Sequence, residues 1–312
     1  MTADRILVLG TGAMGCYFAA RLARAGNAVT LAGTWAEALA RAAFPGITVE
    51  EGDAEWTARV DTRHRDTLDP GAFALTLVLV KAQQTASVAS IAAAATAEDG
   101  LIATLQNGWG NREILQAAAP GRVCAGTSVT GLAVVGPARV RGGHRRTVLG
   151  QERETEVRVR AAAARLLAAG IATEVRDAID GALWLKLAVN CAINPLSALF
   201  GRTNGELAAD PAARATLAAA AAEAGAVARA RGTPLDQDPA EEALAVARAT
   251  ASNRSSMLQD LERGAATEVD SINGAVCREG RRIGVPTPVN DRLWRAMRRR
   301  QGLADPLPGT AA

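Results

Sequence analysis

The sequence predicts two domains, an α/β domain followed by an all-α domain. Apolar strand-like segments alternate with helical patterns up to about residue 176, and only helical patterns separated by Gly and Pro continue after it. The length of 312 residues fits two domains, and a hydrophobic content of 49% is enough to bury two cores. We therefore expect residues 1–176 to form the α/β domain, residues 177–304 the helical domain and residues 305–312 a tail.

The first domain opens with a glycine-rich loop. A short apolar strand at residues 5–9 precedes the loop, and a helical pattern and a second strand at residues 28–32 follow it. In this context Gly10 permits a tight turn, Gly12 lets backbone N–H groups approach a pyrophosphate, and Gly15 lets the helix pack closely. We predict a Rossmann-type dinucleotide-binding domain whose loop consists of Gly10, Thr11, Gly12, Ala13, Met14 and Gly15.

The residues after the second strand leave the identity of the dinucleotide open. An acid at the end of this strand would hold the ribose of NAD, but the strand runs into Thr34 and Trp35, and Glu37 comes too late. There is also no Arg at this point to bind the 2′-phosphate of NADP.

Two further buried strands each end at a polar residue. Residues 74–80 are a continuous apolar run that ends at Lys81, and residues 101–105 are followed by Gln106 and Asn107. Ligands of open parallel sheets lie beyond the carboxyl ends of the strands, so Lys81 and Asn107 are placed to meet a cofactor. For the Gln-Asn-Gly segment, an ordinary turn is an equally good interpretation.

The remaining patterns complete the two domains. Further strands are predicted at residues 47–51, 55–59, 123–126, 138–141, 147–149 and 171–175, with a helix at residues 158–169. In the second domain, helices are predicted at residues 177–200, 206–231, 240–251, 252–263, 267–283 and 291–301.

The first helix of the second domain carries an unusual stripe of polar residues. Lys186, Asn190 and Asn194 are spaced four apart, so they lie along one side of the helix. The surrounding residues 182–200 are otherwise almost all apolar, so we expect this helix to be buried on every side. A buried Lys is nearly always paired. One interpretation is a structural Lys held by a salt bridge, and the other is a catalytic Lys beside two substrate-holding amides.

Glu268 is the candidate partner of this lysine. It is predicted to lie in the helix at residues 267–283, at the edge of an apolar face. As an acid in the first turn it would be stabilised by the helix dipole. As the anion of an active site it would help to keep Lys186 charged in a dry environment.

Composition excludes several other classes of function. The net charge is only +3 and aromatic residues make up 3%, so we expect no nucleic-acid surface. The four cysteines lack Cys-x-x-Cys spacing and there are two histidines, which indicates no metal site and reduced thiols in a cytoplasmic protein. The N-terminus does not have the pattern of a signal peptide, and we expect no apolar span of about 20 residues that could cross a membrane.

Taken together, these motifs resemble the ketopantoate reductase (2-dehydropantoate 2-reductase) family. The resemblance extends from residue 6 to about residue 300 and includes the order and spacing of the motifs. Besides the glycine-rich loop, it is carried by Val80-Lys81-Ala82, Gln106-Asn107-Gly108, Trp184-x-Lys186-Leu187-x-x-Asn190-Cys191-x-x-Asn194-Pro195-Leu196, Asn204-Gly205-Glu206, Ser255-Ser256-Met257-Leu258-Gln259-Asp260 and Thr267-Glu268-Val269-Asp270-x-Ile272-Asn273-Gly274.

The resemblance implies NADPH-dependent reduction of ketopantoate to D-pantoate, a step of pantothenate biosynthesis. It also implies a second domain like the C-terminal domain of 6-phosphogluconate dehydrogenase. Lys186 would donate the proton, and Glu268 would orient the cofactor or the substrate. The glycine-rich loop would bind the pyrophosphate, Lys81 would lie near the adenosine half, and Asn107 would touch both the nicotinamide and the substrate. The residues holding the substrate would be Asn107, Asn190, Asn194, Asn204 and Ser256.

One departure from the family concerns Thr34, which stands where relatives usually have an Arg that pairs with the 2′-phosphate. NADP is still favoured, because Lys81 remains and the acid that NAD requires is absent, but NAD is not excluded. The alternatives to a ketopantoate reductase are a related dehydrogenase acting on another branched 2-oxo acid and a non-catalytic dinucleotide sensor. The partner that we expect is a small 2-oxo acid substrate. The sequence leaves the oligomeric state open, with a homodimer as one alternative.

Overall fold

A computed structural model describes residues 4–306 of the chain. The chain divides into two compact units, one formed by Met1–Gln106 with Asn111–Ile179 and the other by Asn107–Gly110 with Asp180–Ala312. The first unit is α/β and the second is helical, which confirms the predicted fold class. Residues 307–312 of the predicted tail lie outside the described residues.

The strands of the first unit form one mixed sheet. They are β1 (Arg5–Leu9), β2 (Ala28–Gly33), β3 (Ile47–Glu51), β4 (Ala54–Ala58), β5 (Asp61–His64), β6 (Phe73–Val78), β7 (Thr96–Thr104), β8 (Val123–Gly136), β9 (Arg139–Gly150) and β10 (Thr173–Arg176). Their order is β4-β3-β9-β8-β7-β6-β1-β2-β5, and β10 pairs with β9.

The helices of the first unit connect these strands. They are α1 (Ala13–Arg24), α2 (Ala36–Ala43), α3 (Thr85–Ala95), α4 (Asn111–Ala118) and α5 (Glu156–Ala168), with short 3-10 helices at Arg65–Thr67 and Ala82–Gln84. The parallel strands β1, β2 and β6 are adjacent, and the apolar run of β1 is buried, as expected of a strand covered on both faces. Leu9 lies opposite Ala32 of β2 and Val78 of β6, so the carboxyl ends of all three strands meet at one edge.

The second unit is built around its first helix. Its helices are α6 (Asp180–Phe200), α7 (Asn204–Ala209), α8 (Pro211–Ala230), α9 (Pro239–Ala249), α10 (Ser256–Glu262), α11 (Asn273–Ile283) and α12 (Pro288–Arg300). α6 packs against α8, α9, α10 and α12, and its Trp184, Leu187 and Cys191 side chains lie in the core.

Two predicted helices of this unit are wrong in their bounds because capping residues start new helices. The predicted helix at residues 206–231 is two helices, since Asp210 Oδ1 accepts hydrogen bonds from two backbone N–H groups of α8 at 2.9 and 3.1 Å. The predicted helix at residues 252–263 begins only at α10, since Ser255 Oγ accepts a hydrogen bond from the third backbone N–H after it at 3.1 Å.

The predicted helix at residues 267–283 begins later than expected, at Asn273. Residues 267–272 form turns instead, in which the carbonyl oxygen of Glu268 accepts hydrogen bonds from the N–H groups of Ser271 and Ile272, both at 3.0 Å. Within this turn the Asp270 carboxylate is bound by side chains of α12, including the indole N–H of Trp294 at 2.5 Å. Glu268 is therefore not a first-turn helix acid, and the helix-dipole interpretation is wrong.

In the first unit several strands are longer than the sequence predicts, and one strand is not predicted at all. β8 continues well beyond the predicted residues 123–126, and the predicted strands at residues 138–141 and 147–149 are one strand, because β8 and β9 pair as a long antiparallel hairpin. The short edge strand β5 had no prediction, since its sequence Asp-Thr-Arg-His is polar throughout. Helices α2, α3 and α4 also lacked one.

α6 corrects the expectation that no segment could cross a membrane. By length and composition this helix would be able to span a bilayer, although 61% of its most apolar stretch is buried inside the protein, which is typical of a core helix. The four cysteines are free thiols and are buried.

Candidate active site

The glycine-rich loop has the close backbone contacts that its spacing predicted. Gly10 has φ +126°, and a Cβ at Gly15 would lie 1.7 Å from the Gly10 carbonyl oxygen. A Cβ at Gly12 would meet nothing within 4 Å. The loop is thus packed on one side and open at the start of α1, where the backbone N–H groups of a helix N-terminus can donate hydrogen bonds to a pyrophosphate.

Lys81 lies at the same edge of the sheet as this loop. The N–H of Leu79 donates to the carbonyl oxygen of Leu9 at 2.8 Å, which places the chain after β6 beside the glycine-rich loop. The buried Gln106 side chain holds the segment after β6 in place by donating to the carbonyl oxygen of Val80 at 2.8 Å. The structure therefore brings the loop and Lys81 together, as the rule for open parallel sheets predicts.

The end of β2 contains basic neighbours that sequence reasoning missed. Thr34 and Trp35 are exposed there. However, β5 pairs with β2 so that Arg63 lies opposite Ala32 and His64 opposite Gly33. The only signal in the sequence is the basic run at residues 63–65, which is uninformative until β5 is known to adjoin β2.

The polar stripe of α6 is less buried than expected. Asn194 is 7% exposed, but Lys186 and Asn190 are only partly buried, so the expectation of burial on every side is wrong for these two. Desolvation still lowers the pKa of Lys186 to about 8, and the negative charge of Glu268 acts in the opposite direction, raising it.

Asn107 and Glu268 come together in the second unit. The Asn107 side-chain N–H donates to Glu268 Oε2 at 3.4 Å, and Glu268 is 6% exposed. Residues Asn107–Gly110 belong to this unit by their contacts, although the chain on both sides of them belongs to the first unit. The negative charge of Glu268 also acts on Lys186 and raises its pKa. The Asn107 amide, the Glu268 carboxylate and the Lys186 amine are therefore treated as one cluster.

Trp109 holds this segment and was missed by the sequence analysis. The centre of its ring lies 4.8 Å from that of the Trp184 ring and 5.1 Å from the Arg231 guanidinium. The backbone N–H of Trp109 donates to the carbonyl oxygen of Ser271 at 3.0 Å. Gly108 has φ +90° and abuts the same carbonyl. A Trp directly after Asn-Gly, in a chain with 3% aromatic residues, was the available signal.

Asn204 and Ser256 lie around the segment that joins α9 to α10. The Asn204 carboxamide donates to the Thr250 hydroxyl at 2.8 Å, and Asn204 is 6% exposed. Ser256 is exposed at the start of α10, and the preceding Ser255 donates to the carbonyl oxygen of Asn194 at 3.3 Å. Ser256 therefore directly follows a residue that is hydrogen-bonded to Asn194, a member of the polar stripe of α6.

The cluster of Lys186, Glu268 and Asn107 is suited to chemistry at a carbonyl group. A charged amine stabilises negative charge that develops on a carbonyl oxygen and can then transfer a proton to it. A pKa of about 8 makes both the charged and the neutral amine accessible near neutral pH. The buried carboxylate of Glu268 favours the charged form.

Comparison with known proteins identifies relatives over nearly the whole chain. The family models "Ketopantoate reductase PanE/ApbA" and "Ketopantoate reductase PanE/ApbA C terminal" match residues 6–154 and 178–301. The 2-dehydropantoate 2-reductase of Halobacterium salinarum is 38% identical over 291 residues, covering 91% of this chain and 95% of that protein.

Solved structures give the same result. A PanE/ApbA family ketopantoate reductase from Ralstonia eutropha has a TM-score of 0.87 and 32% identity, covering 96% of this chain and 98% of that one. A D-mandelate dehydrogenase in complex with NADH has a TM-score of 0.85 and 25% identity, covering 96% of this chain and 100% of that one. With family matches over both units, the chain belongs to the ketopantoate reductase family and is an oxidoreductase with a dinucleotide-binding Rossmann domain.

Proposed function

We propose that this protein reduces ketopantoate to D-pantoate with NADPH, as a cytoplasmic enzyme of pantothenate biosynthesis. The observation that carries the proposal is the Lys186 amine, whose pKa of about 8 suits proton transfer and whose charge is supported by Glu268. The relatives named 2-dehydropantoate 2-reductase support the substrate. The open face at Gly12 and the start of α1 fit a dinucleotide pyrophosphate.

In this proposal the residues of the chain stabilise and protonate the developing alkoxide. Bound NADPH supplies the hydride. The Lys186 ammonium stabilises the negative charge on the former carbonyl oxygen, donates its proton to that oxygen and is left as a neutral amine. Glu268 keeps the ammonium charged before the transfer, and Asn107 holds the substrate through its amide.

Four further polar residues would hold the substrate. Asn190 and Asn194 share the α6 stripe with Lys186, which supports a role for them in binding the carboxylate or hydroxyl groups of a small acid. We extend the same role to Asn204 and Ser256, for which the supporting observation is their position around the α9–α10 segment that contacts α6.

A substrate screen tests the proposal. NADPH oxidation is followed by absorbance with ketopantoate and a panel of 2-oxo acids, both branched and aromatic. We expect the highest kcat/KM with ketopantoate. The second candidate is a dehydrogenase for another 2-oxo acid, which the D-mandelate dehydrogenase relative favours. A higher kcat/KM with another acid would establish that alternative, and no turnover with any of them would overturn the substrate class.

We expect NADPH to bind more tightly than NADH. The end of β2 has no acid to hold a free ribose, and Lys81 and the arginines of residues 63–65 supply cations at this side of the sheet. Dissociation constants of both dinucleotides can be measured by calorimetry. Arg63→Ala should weaken NADPH binding more than NADH binding, whereas Arg160→Ala on the exposed face of α5 removes the same charge and should change neither. Equal affinities of the wild-type protein would contradict this prediction.

The pH dependence of reduction should follow the ionisation of Lys186. Only the charged amine can donate a proton, so kcat/KM should be constant below about pH 7 and fall as pH rises through about 8. Oxidation of the hydroxy acid needs the neutral amine, so its rate should rise through the same pH. Steady-state assays in both directions measure these limbs, and identical pH profiles for the two directions would be inconsistent with Lys186 as the acid and base.

A further inference from the structure

α6 contains a proline that leaves one of its carbonyl groups without a helical donor. Pro195 lies inside the helix and has no N–H, so it cannot donate to the carbonyl oxygen of Cys191 four residues earlier. Cys191 is fully buried, where water cannot replace the missing donor. This carbonyl group therefore needs a hydrogen bond from another part of the protein.

Asn273 supplies that hydrogen bond. It is the first residue of α11 and is 0% exposed, and its Nδ2 donates to the Cys191 carbonyl oxygen at 3.0 Å. The same Nδ2 donates to Asn290 Oδ1, also at 3.0 Å, so both amide hydrogens are used. An amide donor from α11 thus takes the place of the N–H that α6 lacks.

The orientation of Asn273 is itself fixed by a buried network. Asn290, which is 0% exposed, donates from Nδ2 to the Ala220 carbonyl oxygen and to Glu223 Oε2, both at 2.9 Å. The Glu223 carboxylate also accepts the backbone N–H groups at the start of α12 at 2.8 and 2.9 Å. α8, α11 and α12 therefore hold the Asn273 carboxamide in one direction, toward α6.

Asn273 also connects directly to the turn that carries Glu268. The N–H of Ile272 donates to the Glu268 carbonyl oxygen, and the N–H of Gly274 donates to that of Val269, both at 3.0 Å. On the other side, Cys191 is adjacent to Asn190 and follows Lys186 by little more than one helical turn. The hydrogen bond from Asn273 to Cys191 therefore joins the Glu268 turn to the helix of Lys186.

We propose that Asn273 is a positioning residue that sets the separation of Lys186 from Glu268, using the carbonyl group that Pro195 leaves free. The inference rests on the proposed function, in which these two side chains act together. In this proposal Pro195 has a specific role, because it leaves the Cys191 carbonyl oxygen free to accept the hydrogen bond from Asn273.

Three variants test this inference: Asn273→Ala, Pro195→Ala and the double variant. In Pro195→Ala the new N–H can bond to the Cys191 carbonyl oxygen within the helix. The double variant therefore keeps this carbonyl paired but lacks the link between α6 and α11. It serves as the matched control for the loss of the hydrogen bond to the Cys191 carbonyl oxygen. If Asn273→Ala alone does not fold, the double variant is compared directly with Pro195→Ala.

Lys186 can be observed directly because Lys81 is the only other lysine in the chain. With ¹³C-labelled lysine, the pH titration of the two side-chain Cε signals gives the pKa of each by NMR, and Lys186→Ala assigns them. Thermal unfolding gives Tm, and NADPH oxidation gives kcat. The NMR titration needs neither substrate nor turnover.

We expect Asn273→Ala to lower Tm, to lower kcat about tenfold or more, and to lower the pKa of Lys186, because Glu268 is held less closely. The double variant should regain the part of Tm that depends on the Cys191 carbonyl group, but keep the low kcat and the low pKa. A pKa and kcat that equal the wild-type values, or that recover together with Tm in the double variant, would overturn the inference. If the pKa falls as expected while Lys186→Ala turns over normally, the positioning role stands and the proposed proton donor fails.

Discussion

Lys186→Ala is expected to lower kcat for 2-oxo acid reduction by about two orders of magnitude or more, the usual scale for loss of a positioned acid. The substitution removes both the charge that stabilises the developing alkoxide and the proton that neutralises it. It also leaves Glu268 without the positive charge that it faces. Single-turnover NADPH oxidation in the variant and the wild-type protein measures the effect on the chemical step.

The other lysine provides the matched comparison for this variant. Lys81→Ala also removes an amine, but Lys81 lies beside the glycine-rich loop, so its loss should raise the KM for NADPH more than it lowers kcat. Added methylamine should partly restore turnover to Lys186→Ala and not to Lys81→Ala. A Lys186→Ala enzyme with wild-type kcat would remove this residue from the mechanism.

The parts of the site that could be predicted from sequence are those that depend on local geometry. The spacing of Gly10, Gly12 and Gly15 fixes which backbone atoms can approach one another, and the structure has those contacts. The four-residue spacing of Lys186 and Asn190 likewise fixes their common side of α6. Such features need no knowledge of distant residues.

The remaining parts depend on contacts between residues far apart in the chain. The turn at Glu268 looked helical because its apolar spacing is helical, but Asp270 is bound by Trp294 and Arg298 of α12. The sequence does not show that the side-chain amide nitrogen of Asn204 donates to the Thr250 hydroxyl. These hydrogen-bond partners are far apart in the sequence, and no local pattern predicts them. The sequence therefore indicates which residues are candidates but not which residues they contact.

Alanine at two positions of the glycine-rich loop should have different effects. Gly15→Ala should lower the stability of the protein, whereas Gly12→Ala should weaken dinucleotide binding. A Cβ at Gly15 would lie 1.7 Å from the Gly10 carbonyl oxygen, so the backbone must shift. We expect Gly15→Ala to lower the free energy of unfolding by about 3 kcal/mol or more, the upper end of overpacking costs. Urea unfolding of the unliganded protein measures this change.

Gly12→Ala should instead leave stability within about 0.5 kcal/mol of the wild-type value. Gly12 has φ −79° and ψ −172°, which any residue adopts, and its Cβ would enter open space. That space is where a pyrophosphate would approach the start of α1, so the Kd for NADPH should rise about tenfold or more. Wild-type NADPH affinity in a stable Gly12→Ala protein would mean that the dinucleotide binds elsewhere, because the added methyl group has no neighbour in the protein through which to act.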